Sequence, residues 1–246
     1  MSLASADDLS LASADDLSPL ADLLPFLLRR MPVDIDKAAI NELKMRLRKA
    51  LEIKRLPDRH LEIVAIITEA LEPHRIKPIL VGGAAVEFYS CGGYVTSHID
   101  LVAPGGRELA ETMRALGFLK RGKDWVNDEL ELSIEYWADA LGPDEEYADF
   151  QYQGLRLRIL SIEDLIVDRL CQYKWWKSAI DGVNVMLLLE SAIPYDDKGT
   201  IRKGKREDVY DALQGVKKLL KSLKEGRVDR SKATEMLLNL QSSFER

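Results

Sequence analysis

A short segment in the first half of the chain constrains the fold more than any other. Residues 79–81 are a run of Ile, Leu and Val typical of a buried strand, and Gly82-Gly83 ends that run. A helix is predicted over residues 84–89, and a second buried strand over residues 99–103. A strand, a glycine turn, a helix and a second strand in this order predict a sheet with helices packed against it.

More strands follow this segment, and helices are predicted on both sides of it. Apolar and polar residues alternate strictly from 129 to 137, which predicts a strand with one buried face, and residues 155–160 predict another. Helices are predicted over residues 34–56, 58–71, 107–116, 162–176, 180–191, 206–223 and 229–242, and short strands over 118–120 and 125–126. The sequence therefore predicts an α/β (α+β) fold, with a mixed sheet, flanking helices and a C-terminal helical region.

The patterns divide the chain into three parts. Residues 1–31 form a tail in which the octapeptide SLASADDL occurs twice, followed by a predicted short helix. Residues 32–160 contain the α/β core with its leading helices, the first of which we expect to be capped by Asp36 and ended by Pro57. Residues 161–246 form the helical region. An eight-residue unit that occurs only twice does not build a solenoid; a natural tail, a tandem duplication and a cloning scar remain open as its origin.

Composition and charge exclude several classes of protein. Apolar residues make up 46% and charged residues 31% of the chain, as in ordinary globular domains. The net charge of −6 gives no general attraction to nucleic acid. We therefore do not expect a nucleic-acid partner, although the basic stretches 198–206 and 217–232 leave one open. We expect residues 198–206 to form a solvated loop between helices.

Cysteine usage and hydropathy favour a cytoplasmic location. The chain has two cysteines and three histidines, which are too few for a zinc cluster or a disulfide framework. No apolar run reaches about 18 residues, and no basic segment precedes the apolar residues near the N-terminus. We therefore expect a cytoplasmic protein with no membrane partner.

The glycine turn and Asp100 are two ingredients of a phosphoryl-transfer site. Glycines at the start of a helix let backbone N–H groups approach a phosphate closely. Paired carboxylates hold the metal ions that bridge the attacking and leaving oxygens. A D-x-D pattern on the second strand would place both carboxylates on one face, because side chains repeat every two residues. Asp100 is present here, but the residue two positions before it is His98.

The stretch VGGAAVEFYSCGGYVTSHIDLVAP resembles the G-G-x-A-x-E-x-Y…[TS]-x-D-I-D-L-[VL] stretch of the minimal nucleotidyltransferases, the group that includes abortive-infection toxin-like and antitoxin-like proteins. The segment 132–135 is similar to the strand that carries the third carboxylate of that family, and the segment 159–170 to the helix that follows the core. The resemblance covers about residues 77–190 and implies a nucleotidyltransferase-like mixed sheet.

The resemblance also implies roles for single residues. Gly82 and Gly83 match the glycines that approach phosphate, and Asp100 matches the second metal carboxylate. Glu135 is our choice for the third carboxylate, with Glu131 expected on the same face of the strand. These matches make Asp100 and Glu135 the candidate catalytic and metal-binding residues, with Mg²⁺ or Mn²⁺ as the cofactor of an active enzyme and a nucleoside triphosphate as its partner.

The helix after the core is expected to line the nucleotide cleft in this family. Asp168, Arg169 and Lys177 are the candidates for that wall, and Lys177 is the one that we assign to nucleotide binding. A helix surface held together by ion pairs is the alternative for these residues.

His98 departs from the family pattern because it occupies the first carboxylate position. Magnesium favours oxygen ligands, and neutral imidazole replaces them poorly. We keep His98 as a candidate ligand for a softer metal such as manganese or zinc, or as an imidazolium that contacts phosphate. The alternative is a site that has lost or weakened catalysis.

Three functions therefore remain open. The first is an enzyme that transfers a nucleoside monophosphate from a nucleoside triphosphate to a hydroxyl of a protein, an RNA or a small molecule. The second is a catalytically degenerate module that still binds a nucleotide. The third is an antitoxin-like module that binds a protein partner through the N-terminal segment and the helices after residue 161.

Overall fold

A computed structural model describes Val33 and residues 35–244 of the chain. The duplicated octapeptide and the short helix predicted after it lie outside the described residues. The described helices and strands belong to one unit, which begins at Ile35. The last strand ends at Leu160, where the helical region was predicted to begin; the division into domains at that point stays a prediction.

Seven strands form a single mixed sheet in the order β3-β4-β5-β2-β1-β7-β6. β1 pairs antiparallel with β2 and parallel with β7, while β2 pairs parallel with β5. The outer pairs β3–β4, β4–β5 and β6–β7 are antiparallel. The strands are β1 (Ile79–Val81), β2 (Ile99–Val102), β3 (Leu119–Arg121), β4 (Asp124–Asn127), β5 (Leu132–Ala138), β6 (Tyr147–Tyr152) and β7 (Leu155–Leu160).

Nine α-helices occur among the described residues, two before the sheet, two between its strands and five after it. They are α1 (Lys37–Ala50), α2 (Leu56–Leu71), α3 (Gly82–Tyr89), α4 (Arg107–Ala115), α5 (Ile162–Trp175), α6 (Ala179–Glu190), α7 (Asp197–Arg206), α8 (Tyr210–Lys224) and α9 (Arg230–Ser243). The predicted fold class, a mixed α+β sheet with flanking helices and a C-terminal helical region, is confirmed. In the part of the chain described by the structure, no helix combines the length and the apolarity that crossing a membrane requires.

The first helix begins where its sequence signal predicts, but it ends earlier than predicted. Asp36 caps α1 as predicted, because its side chain accepts hydrogen bonds from the N–H groups of Ala38 and Ala39 at 2.9 and 3.2 Å. The predicted end at Pro57 is wrong, since α1 ends at Ala50. Pro57 instead lies in the first turn of α2, where the backbone N–H that proline lacks would have no helical partner.

Two segments of the C-terminal half differ from the prediction. β6 was not predicted, because most of its residues are exposed and show no alternation of buried and exposed positions. The basic stretch 198–206 is part of helix α7 rather than a loop. Within it Lys203 is buried and pairs with the buried carboxylate of Asp164 on α5 at 2.7 Å, so a tertiary contact holds a sequence that local propensity would leave as a loop.

The register of the sheet separates a buried face from a second face that carries the polar residues. Leu80, Leu101, Ile134 and Ile159 alternate onto the buried face. On the opposite face Val81 is paired with Asp100, and Asp100 in turn is paired with Glu135. Directly paired residues point to the same side of a sheet, so this second face brings the predicted carboxylates together.

Candidate functional site

The turn after β1 begins the site. Val81 is extended, and α3 starts at the next residue with no side-chain cap. Gly82 has a φ of +62°, in the left-handed region that favours glycine. A Cβ atom on Gly82 would overlap the carboxylate and the Cβ of Asp100. The glycine therefore allows Asp100 to lie directly against the N-terminus of α3.

Asp100 is held by donors from two elements. The backbone N–H of Gly83 donates to its Oδ2 at 3.3 Å, and the indole N–H of Trp137 also donates to the carboxylate. Burial raises the pKa of Asp100 above its ordinary value, and the negative charge of Glu135 acts in the same direction. The two hydrogen bonds and the positive charge of Arg169 oppose this effect without cancelling it.

Glu135 is the in-register neighbour of Asp100 on β5. The backbones of paired strands lie about 4.8 Å apart, so the two carboxylates share one small area of the sheet face. The Glu135 carboxylate forms an ion pair with the ammonium group of Lys123. This hydrogen bond to Glu135 is the main reason that the pKa of Lys123 is raised. Glu135 is thus a partly neutralised second carboxylate.

Three residues named from the sequence lie apart from this pair. His98 is exposed in the segment before β2, where its backbone N–H donates to Thr96 Oγ1 at 3.3 Å. Glu131 was expected on β5, but this prediction is wrong because it lies in the β4–β5 loop with a φ of +52°. Lys177 is exposed beyond the end of α5 and does not line the cavity described next. The roles of His98 and Lys177 stay predictions.

A cavity of about 410 Å³ opens beside Gly82 and Asp100. The sheet forms one wall, and helices α5 and α6 form the other. Its volume suits a small ligand such as a nucleotide. The residues that matter for its chemistry are Gly82, Asp100, Trp137, Asp168, Arg169 and Asp181.

Arg169 is the cation of the cavity wall. Its guanidinium pairs with Asp168 and, at 3.0 Å, with Asp181 at the start of α6. Desolvation lowers the pKa of this group, but the two carboxylates together raise it above its ordinary value. Arg169 is therefore held in place on the helical wall of the cavity by α5 and α6, and Asp168 and Asp181 offset its charge. The sequence prediction for this wall named Asp168 and Arg169, and both line the cavity.

The side chains around Asp100 supply only some of the ligands that a divalent metal needs. Among the residues that the structure describes, no group of three or more His, Cys, Asp or Glu side chains is arranged to hold a metal ion. Magnesium sites in nucleotide enzymes commonly use one or two carboxylates and take further oxygens from the substrate phosphates. Asp100 and Glu135 match that smaller donor set because they are neighbours on one face of the sheet.

Trp137 and Asp181 belong to the site but were not found from the sequence. Trp137 follows Glu135 by two residues, so strand alternation places it on the face that carries Asp100, and the pairing with β2 shifts register between Leu101 and Val102. The side chain is 60% exposed at the cavity wall. Asp181 comes from α6, far along the chain from β5, and no local pattern connects it to Trp137 or Arg169.

Comparison with known proteins gives structural neighbours only. No protein-family model matches the chain, and no curated protein matches it. An antigenic nucleotidyltransferase-like protein from Paracoccidioides brasiliensis has 15% identity over 62% of this chain and 90% of its own, with a TM-score of 0.43. JHP933 from Helicobacter pylori has 14% identity over 86% and 93%, also with a TM-score of 0.43.

A third solved structure, the antibiotic-resistance factor ANT(2'')-Ia, has 19% identity over 72% of this chain and 88% of its own, with a TM-score of 0.33. Nucleotidyltransferase-like proteins are among the structural neighbours of this chain. All of these TM-scores lie below 0.5, so the neighbours do not assign this chain to a family, and its chemistry has to be inferred from its own residues.

Proposed function

We propose that this protein binds a nucleoside triphosphate in the cavity beside Gly82 and Asp100, and transfers the nucleoside monophosphate to a hydroxyl group of an acceptor. The observation that carries this proposal is the contact between Gly82 and Asp100. A partly buried carboxylate lies against the N-terminus of α3 and faces a cavity of suitable volume.

Phosphate would be bound at the start of α3. The first N–H groups of a helix have no partner within the helix, and the helix dipole favours negative charge at that end. Arg169 lies on the opposite wall, where three of its N–H groups donate to Asp168 and Asp181, and its remaining N–H groups are proposed to donate to the phosphates. The exposed indole of Trp137 offers an aromatic face for the base. Lys177 remains a proposed further contact from the end of α5.

Asp100 and Glu135 are the residues proposed to hold Mg²⁺ or Mn²⁺, with His98 as a proposed third ligand. A bound metal would neutralise charge on the phosphates during transfer. In the reaction, a bond forms between the acceptor oxygen and the α-phosphorus, and the bond from that phosphorus to pyrophosphate breaks. The hydroxyl proton passes to solvent water as the new bond forms, because Asp100 and Glu135 are the residues assigned to the metal.

A second candidate is a catalytically degenerate module that binds nucleotide, or an antitoxin-like protein partner, without transfer. The ion pair between Lys123 and Glu135 favours it, because an ammonium group already neutralises the carboxylate that a metal would need. The exposed position of His98 favours it as well, since this side chain does not line the cavity.

Binding and turnover of the full chain separate these candidates. Calorimetric titration with ATP, GTP, CTP and UTP, each with Mg²⁺ or Mn²⁺, measures binding, and an enzyme-coupled assay measures release of pyrophosphate. We expect Asp100→Asn to keep nucleotide affinity within about threefold and to lower turnover by about 100-fold or more. Glu52→Gln removes an exposed carboxylate outside the cavity and serves as the matched control.

Each outcome of this experiment decides between the candidates. Binding with release of pyrophosphate that depends on Asp100 supports transfer. Binding without release with either metal supports the degenerate module. If none of the four nucleotides binds, the proposed nucleotide site is wrong.

A further inference from the structure

A second cavity adjoins the first. It has a volume of about 550 Å³ and contains three basic residues in its lining, namely Arg75, Lys77 and Arg158. Val102 and the segment 140–142 line both cavities, so the loop that connects β5 to β6 lies between them. The lining of the second cavity also includes the acidic residues Asp139 and Glu145, which belong to the same loop.

Both cavities lie on the same face of the sheet. Ile79 is paired with Val102 on one side and with Arg158 on the other, so these three side chains share a face. Val81 and Asp100 are two residues further along their strands and therefore share it too. The second cavity continues the face that carries Asp100, toward the beginning of β1.

The basic side chains of the second cavity have unused hydrogen-bonding capacity. Nε of Arg158 is buried and has no hydrogen-bond partner among the described residues. The nearest carboxylate oxygen, on Asp149, lies 3.6 Å away, which is beyond hydrogen-bonding distance. The guanidinium lies over the ring of Tyr147, 4.4 Å from its centroid, and this stacking orients it. A buried guanidinium N–H without an acceptor is unfavourable unless a ligand supplies one.

Each acidic residue of this cavity accepts one hydrogen bond from a backbone donor. Asp139 accepts a hydrogen bond from the N–H of Gly105 at 3.0 Å, and Glu145 accepts one from the N–H of Gly142 at 2.7 Å. The Glu145 carboxylate is therefore held by its own loop, and the Asp139 carboxylate is held by the loop between β2 and α4. The lining of the cavity contains three cations and these two carboxylates, and Asp149, which lies beside Arg158, is not part of the lining.

We infer that this second cavity binds a small anionic molecule through a phosphate or carboxylate group, and that this molecule is the acceptor whose hydroxyl reaches Asp100. Arg158 and Lys77 contact the anion, and the position of the cavity beside the first directs the rest of the molecule toward the site of transfer. The role as acceptor rests on the proposed function, whereas the anion site itself does not.

Inorganic phosphate and citrate are suitable probes for calorimetric titration of the full chain at low ionic strength. We expect Lys77→Gln combined with Arg158→Gln to weaken binding of at least one probe by about tenfold or more, since each lost charged hydrogen bond lowers affinity by roughly that factor. Arg158→Lys retains the charge and should bind the probe more tightly than Arg158→Gln. Lys218→Gln removes an exposed charge on α8 and should leave anion affinity unchanged.

Preference for phosphate indicates a phosphorylated acceptor, and preference for citrate indicates a polycarboxylate. If neither probe binds, if the double variant binds as tightly as the wild type, or if Lys218→Gln weakens binding equally, the inference is wrong.

Nucleotide titration of the same variants keeps the two proposals distinct. Anion binding that depends on Lys77 and Arg158 in a chain that binds no nucleotide would support the anion site and reject the proposed function. Anion binding lost in Gly82→Ala but kept in the double variant would reject the anion site alone.

Discussion

Gly82 is subject to two separate constraints, a left-handed backbone and the carboxylate of Asp100 beside it. We expect Gly82→Ala to lower the free energy of unfolding by about 1–3 kcal/mol for the backbone alone, with a further loss from the overlap with Asp100. Nucleotide binding should be lost because the overlap displaces the start of α3, where the phosphates are proposed to bind. Urea denaturation and calorimetric titration measure the two effects.

Gly122 provides a matched control for this substitution. Its φ is +63°, nearly the same as that of Gly82, and a Cβ atom there would meet no described atom within 4 Å. Gly122→Ala should therefore show the backbone effect without the overlap and should bind nucleotide normally. Equal losses of stability in the two variants, with normal nucleotide binding in both, would contradict the role of the Gly82–Asp100 contact.

The ionised form of Asp100 should destabilise the fold. Its pKa is raised mainly by burial, so the folded chain binds this proton more tightly than the unfolded chain, and stability falls as the pH rises through the folded pKa. Asp100→Asn should therefore raise the free energy of unfolding at pH 7. The gain should shrink as the pH falls toward the ordinary carboxyl range of about 4.

Urea denaturation of the wild type and of Asp100→Asn between pH 4 and pH 8 measures this dependence. Glu52→Gln is the control, since an exposed carboxylate should give a small and nearly constant difference. An Asp100→Asn variant that is less stable than the wild type at pH 7 would show that the hydrogen bonds from Gly83 and Trp137 outweigh burial.

The sequence identified the parts of the site that are adjacent in the chain. Residues 79–83 and Asp100 could be predicted because a strand, its glycine turn and the next strand are contiguous and each has a local signal. Trp137 reaches Asp100 through the pairing of β5 with β2, and Asp181 reaches the cavity through the packing of α6. Such contacts arise from tertiary structure, so a single sequence does not specify them in the same way.

Helix α7 shows how a tertiary contact can overrule local propensity. Its sequence, DKGTIRKGKR, contains two glycines and predicts a loop, yet Lys203 pairs with Asp164 at 2.7 Å and donates to the carbonyl of Asp144 at the same distance. Both members of this ion pair are buried. Removing one partner of a buried pair leaves the other charge without compensation.

We expect Lys203→Met to lower the free energy of unfolding by about 3 kcal/mol, because Asp164 would remain buried without its cation. Lys198→Met, at an exposed position of the same helix, should change it by less than about 0.5 kcal/mol. Circular dichroism during urea denaturation measures both. Similar values for the two variants would mean that Lys203 does not anchor α7.

The topology of the whole sheet could not be derived from the sequence, although its strands largely could. Hydrophobic periodicity predicts that a segment is a strand and which residues are buried, but it does not state which strands pair. The order β3-β4-β5-β2-β1-β7-β6 joins β1 to β7, which are far apart in the chain. That parallel pair aligns Ile79 with Arg158, and it is what places the basic cavity next to the cavity at Asp100.

A nucleotide bound as proposed would connect the sheet with the C-terminal helices, since Gly82 and Asp100 lie on one wall of the cavity and Arg169 on the other. ATP at 100 times its dissociation constant should raise the free energy of unfolding by about 2.7 kcal/mol. Hydrogen exchange should slow in α3 and α5, which line the cavity, and should change little in α9, which does not.

Adenosine is the control ligand for this coupling, because it carries the base without the phosphates that would bind at α3 and Arg169. It should stabilise the chain far less than ATP at the same concentration. If adenosine and ATP slow exchange equally, the phosphates do not bind at the start of α3. If ATP slows exchange in α5 of an Arg169→Gln variant as much as in the wild type, Arg169 does not join the nucleotide to the helical region.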